Sequence, residues 1–167
     1  MGTRPGWLCP EERGSNVKTV FIHDKKVVIG PEAELSKQDL SRGDFSGVDL
    51  SGAGLSGTDF SGAYLRHAIL AGVDLSEADL SGADLTGALL TEADLYKANF
   101  YKANLHRAIL LKAKLLGANL SRANLTEAIL EGVNLLAADL AGADLTGANL
   151  GDWERGPDGY ARKKGKR

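Results

Sequence analysis

From Leu35 to Leu150, every fifth residue is leucine or phenylalanine, without a break. Of these 24 positions, 21 are Leu and the others are Phe45, Phe60 and Phe100. Two residues before each centre stand 18 Ala and 3 Val, the departures being Gln38, Gly43 and Thr58. The residue directly before the centre is Asp or Asn at 16 of the 24. Ser or Thr and then Gly often follow it. A helix turns about 100° per residue, so a period of five leaves each centre about 140° from the last and defines no face. Gly, Ser, Asp and Asn also disfavour helix. A straight strand has period two and would send successive centres to opposite faces. A bent strand fits. Three extended residues put Ala and Leu inward and Asp or Asn outward, and the next two turn a corner. Gly, Ser, Asn and Asp suit such a corner. The chain then winds as a coil that hydrogen-bonds to the next, a β-solenoid.

Where Asp or Asn is expected, Ile69, Leu89, Ile109 and Ile129 appear, spaced by 20. Four units per coil stack these residues in one column, and three per coil scatter them. Units such as ADLSG, ADLTG, ANFYK, ANLSR and ANLTE resemble the pentapeptide-repeat family, A(D/N)LXX, over residues 33–152. The resemblance implies an all-β fold: a right-handed quadrilateral β-helix with four units per coil, here six coils. Such repeats are especially common in cyanobacteria.

A solenoid has open strand edges at both ends, and these need covering. Residues 17–30 carry two β-rich runs around His23, Asp24 and Lys25, which predict a hairpin capping the first coil. Trp7 and Leu8 are expected to pack beside it. Three segments follow: 1–32 with the hairpin, 33–152 as the β-helix, and 153–167 as a C-terminal cap and basic tail. Trp153 and Tyr160 are candidates for an end cap or an end-to-end dimer contact. The stretch from Arg162 is expected to stay unfolded, since it is charged and little else.

The chain has 167 residues and a formal net charge of -2. That near-neutral total hides blocks: 12 acidic against 3 basic residues over 32–94, none against 6 over 95–126, and 5 against none over 127–152. One cysteine, Cys9, excludes an intramolecular disulfide framework. No secretory signal pattern is visible, and no apolar run reaches the ~18 residues of a membrane helix. A cytoplasmic protein without a membrane segment is expected.

The sequence offers no catalytic constellation, cofactor site or metal site. His67 and His106 fall on the same corner two coils apart, too far to share a metal. Asp59 and Asp79 should stack one coil apart, and so should Asp74 and Asp94. Asn fills the same slot at Asn99, Asn104, Asn119 and Asn124, so the position calls for side-chain hydrogen bonding rather than a charge. The glycines recur as corners and form no phosphate loop.

Partner surfaces are more legible. The column of Ile69, Leu89, Ile109 and Ile129 points outward, with Leu111 beside it and Leu116 and Leu136 on the adjoining side. Exposed contiguous apolar surface marks an interface, with a second copy or a foreign protein, unless the tail or a flanking segment covers it. The band from Tyr96 to Lys114 mixes bases with aromatics, as nucleic-acid grooves do. It wraps around the rod, which argues against a nucleic-acid partner. The expected function is a non-enzymatic protein-interaction or structural scaffold. The alternative is a DNA-mimicking regulator of an enzyme such as DNA gyrase, which the resemblance and the acidic 32–94 segment suggest.

Overall fold

A computed structural model describes residues 18–165, and among these it contains no helix. The chain opens with an antiparallel hairpin, β1 (Lys18–Ile22) and β2 (Lys25–Ile29). Its two-residue turn is His23 and Asp24, with φ of 47° and 61°. Positive φ at both turn residues matches the twist of the flanking strands. Ile22 and Ile29 are buried with the first leucines of the repeat.

The repeat then winds in a regular way. Parallel bridges join residue i to residue i+20, from Glu34↔Gly54 to Ile129↔Asn149. Twenty residues are four pentapeptides, so each wrap has four sides. Three backbone bonds per unit hold neighbouring wraps together. On one side, Leu50 N–H donates to Ile69 O at 2.8 Å, Ile69 N–H to Val48 O at 2.9 Å, and Gly52 N–H to Ala71 O at 3.1 Å. A fourth closes the corner, from Ala53 N–H to Leu50 O at 3.0 Å. The second corner residue takes positive φ throughout, as Gly52 (70°) and Lys97 (54°) illustrate. A four-residue turn with positive φ at its third position is the type II arrangement, which favours glycine there.

The outward Asp or Asn closes the remaining gap. The first corner residue has no ladder partner for its N–H, and the preceding side chain supplies one. Ser51 N–H donates to Asp49 Oδ1 at 3.0 Å, and Ser121 N–H to Asn119 Oδ1 at 3.0 Å. Asp and Asn both serve this bond because each offers the acceptor oxygen, and Asn also donates its amide to the residue one wrap back, as Asn119 Nδ2 does to Asn99 Oδ1 at 3.0 Å. Asp59 and Asp79 are indeed stacked, as are Asp74 and Asp94.

Leu, Phe and Ala fill the interior, nearly all of them fully buried. The three departures from Ala or Val have local causes. Thr58 is buried and donates its hydroxyl to Leu35 O at 3.0 Å. A Cβ at Gly43 would lie 2.6 Å from the Phe45 ring. Gln38 is exposed, beside the hairpin. Phe45 and Phe60 meet edge to face at 5.2 Å.

The C-terminal end corrects one expectation. The stretch from Arg162 is folded as far as residue 165. A second hairpin pairs β3 (Trp153–Arg155) with β4 (Ala161–Lys163). It lies across the last wrap, where Tyr160 pairs antiparallel with Asp139. Leu140 N–H donates to Gly159 O, and Ala161 N–H to Ala138 O. Arg155 donates to Ala143 O at 2.8 Å and Trp153 Nε1 to Val133 O at 3.0 Å. These groups take up backbone partners that a further wrap would otherwise supply. Charge did not leave this stretch unfolded, because the edge of the last wrap gives its backbone somewhere to bond. The expected packing of Trp7 and Leu8 lies outside the described residues.

Candidate interaction surface

Outward side chains form four columns, one per side. The first runs Glu34, Gly54, Asp74, Asp94, Lys114, Asn134, and the second begins at Asp39. The third begins at Asp44, and the fourth runs Asp49, Ile69, Leu89, Ile109, Ile129, Asn149. The fourth side therefore carries four consecutive aliphatic residues with a polar residue at either end. Leu89 and Ile129 are each 37% exposed, and Ile69 and Ile109 are half-buried by their neighbours.

Aliphatic residues at these positions have a structural cost. None can accept the hydrogen bond that Asp or Asn gives elsewhere. The N–H groups of Ala71, Thr91, Leu111 and Glu131 accordingly have no protein acceptor among the described residues. Leu111 sits at the corner directly after Ile109, continuous with the column. Leu116 and Leu136 are not brought to it. They stack on one another at the far corner of the first side, where Gly117 N–H donates to Leu136 O. Leu136 is 58% exposed and lines a shallow hollow with Trp153 and Lys163. Trp153 is buried against the last wrap, whereas Tyr160 is half exposed. The C-terminal hairpin thus docks on the rod's end.

The basic band does not converge on one side. Lys112 pairs with Glu92, Lys114 with Asp94 and Arg107 with Glu127, each across neighbouring wraps. Lys97 lies over Tyr96, and Lys102 and Arg122 over Tyr101. Among carboxyls, burial pushes Asp84 up, but hydrogen bonds from Thr86 and Arg66 outweigh it and hold it below its ordinary value. His106 hydrogen-bonds Thr126, and no cluster of three metal-ligating side chains occurs among the described residues. No helix there is long and apolar enough to cross a membrane.

The model of a known family, described as pentapeptide repeats, matches the chain in eight copies over residues 32–66, 58–95, 74–111 and 118–152. The chain belongs to the pentapeptide repeat family. Solved pentapeptide repeat proteins resemble it. HetL from the cyanobacterium Nostoc, involved in regulating heterocyst differentiation, is 33% identical; the match covers 79% of this chain and 76% of HetL, with a TM-score of 0.32. A pentapeptide repeat protein of the Arabidopsis thaliana thylakoid lumen is 32% identical, covering 63% of this chain and 70% of its own, with a TM-score of 0.41. The plasmid-mediated fluoroquinolone resistance protein QnrB1 is 22% identical over 74% of this chain and 78% of its own, with a TM-score of 0.38. No curated protein matches the chain.

What the sequence did not reveal at this surface was the set of unpartnered amides. The signal was present in the missing Asp or Asn at four positions. Reading it required knowing which N–H those side chains serve.

Proposed function

We propose that this pentapeptide repeat protein is a non-enzymatic scaffold that binds a protein partner through its fourth side. The binding unit is residues 33–152, a right-handed rod of six coils. The hairpins β1–β2 and β3–β4 close its ends, and the protein works in the cytoplasm.

One observation carries this reading. Four consecutive outward positions hold Ile or Leu although Asp or Asn there would bond the next corner amide. Each forgone bond is worth about 0.5–1.5 kcal/mol, toward the low end at an exposed corner. The fold alone therefore favours Asn, and a contiguous apolar surface is what the column gains instead. The interior is filled by Leu, Phe and Ala, and the shallow hollows lined by Leu136 and Trp153 and by His23 and Gln38 hold no paired nucleophile and base. Binding suits such a surface better than catalysis.

The test is paired. Ile109→Asn and Leu89→Asn should abolish whatever association the wild-type protein shows, while Asn119→Asp on the second side should leave it intact. Association that survives both column variants and is lost with the second-side variant overturns the reading. A DNA-mimicking role at an enzyme such as gyrase draws on the acidic excess over 32–94. It predicts inhibition of supercoiling at micromolar protein, and no effect at that level removes it.

A further inference from the structure

We infer that the occupant of the fourth side is a second copy of this chain, packed face to face and antiparallel. This inference rests on the reading of that side as a binding face, and it follows from how charges flank the column.

Two flat sides can face each other about a two-fold axis in two ways. With the axis along the rods, the copies run parallel and each residue of the central column faces itself. Asp49 then meets Asp49 of the second copy. The two edges of the side are also exchanged, which sets Glu127 against Glu131 of the second copy at the same level. Both contacts join like charges across an interface, where such charges discriminate strongly against a pairing.

With the axis across the rods, the copies run antiparallel and each edge faces itself upside down. The column then pairs Ile69 with Ile129 of the second copy and Leu89 with Ile109 of the second copy. Its polar ends pair Asp49 with Asn149. Along one edge, His67 comes to the level of Glu127 of the second copy. Along the other, Glu92 comes to the level of Lys112 of the second copy. Every contact occurs twice, as a two-fold interface requires. No two like charges meet among these column and edge residues. Lys112–Glu92 and Arg107–Glu127 already pair within each chain, so the interchain contacts would extend existing networks.

The area sets the strength. Six wraps at ~4.8 Å and three extended residues at ~3.3 Å give a side of roughly 29 by 10 Å. That is small against the roughly 800 Å² per partner of a standard interface, even with the corner side chains added. The dimer is therefore weak and concentration-dependent.

Charge exchange tests both partner and orientation. Glu92→Lys alone sets Lys against Lys112 of the second copy, and Lys112→Glu alone sets Glu against Glu92. Each variant should dimerise at least tenfold more weakly than wild type by sedimentation equilibrium. An equimolar mixture should recover a dimer made of one variant of each kind, because each copy then presents the charges its partner needs. Ile109→Asn, folded by circular dichroism, should be monomeric at every concentration. Wild type that stays monomeric up to roughly millimolar protein overturns the inference. So does a wild-type dimer whose exchanged variants fail to recover on mixing. If wild type is monomeric but Ile109→Asn loses a foreign protein bound by wild type, this inference fails and the binding-face reading stands. A dimer unaffected by Ile109→Asn removes both.

Discussion

Ile109→Asn and Leu110→Ala alter adjacent residues on opposite faces of one strand segment, and their stabilities should differ sharply. Ile109 is half-buried and Leu110 is fully buried. Complete burial of an isoleucine is worth about 1.5–3 kcal/mol, so a half-buried one replaced by a polar residue of similar reach loses about 1 kcal/mol. The new amide oxygen stands where Asn104 and Asn119 accept the corner N–H of His106 and Ser121. It returns about 0.5–1.5 kcal/mol by accepting from Leu111 N–H. The two terms nearly cancel, and the net change should stay within about 1 kcal/mol of wild type. Leu110→Ala removes a side chain stacked between neighbouring wraps and leaves a cavity, which costs about 2–5 kcal/mol. For a chain of this size, 1 kcal/mol is about 2–4 °C in Tm. Thermal and urea unfolding followed by circular dichroism, at low protein concentration, would read both. Equal destabilisation by the two variants would refute the reasoning, since it would make Ile109 a core residue rather than a surface one.

Other consequences follow from the same geometry. Gly47→Ala meets no atom within 4 Å but must hold φ near 67°, so it should cost about 1–2 kcal/mol with no packing defect, read as a lower urea midpoint at unchanged m. Hydrogen bonds from Ser46 hold the Asp44 carboxyl below its ordinary value of 3.8. A depressed folded pKa gives stability that is present above the unfolded value and lost as pH falls through the folded one, so acid should weaken the fold below about pH 4. Asp44→Asn keeps the acceptor without the proton equilibrium and should make that acid limb shallower, leaving the share of the other depressed carboxyls, Asp39, Asp84, Glu127 and Asp144. Trp153→Ala should cost about 3–5 kcal/mol, because the indole packs as part of the core. Limited proteolysis should then cut the C-terminal hairpin before the repeat, and a hairpin that resists as well as wild type would contradict its docking on the last wrap.

The repeat was legible because its information is redundant. Twenty-four equivalent centres exclude helix and straight strand by period alone. The 20-residue spacing of Ile69, Leu89, Ile109 and Ile129 pointed to the four-sided wrap that the bridges now show. The ends were harder because they occur once. At the N-terminus, two β-rich runs around His23, Asp24 and Lys25 announced a hairpin. At the C-terminus, the charges from Arg162 outweighed the turn signal in Gly156, Pro157, Asp158 and Gly159. Yet the strand there forms because Ala161 and Lys164 find backbone acceptors at Ala138 and Asp152. Leu116 and Leu136 were expected on the side adjoining the column, and the wraps put them at the far corner of that side. Such placement depends on which corner precedes which side, a relation that single-residue hydrophobicity does not carry.

The most direct test of the binding face is amide exchange at Thr91 and Leu111, resolved by nuclear magnetic resonance over a range of protein concentrations. Neither N–H group has a protein acceptor among the described residues, and both border the apolar column. The account predicts fast exchange in dilute protein and slower exchange as association covers the side. Protection that is already full in dilute protein would show that the chain covers this side itself, and the column would then be interior rather than an interface.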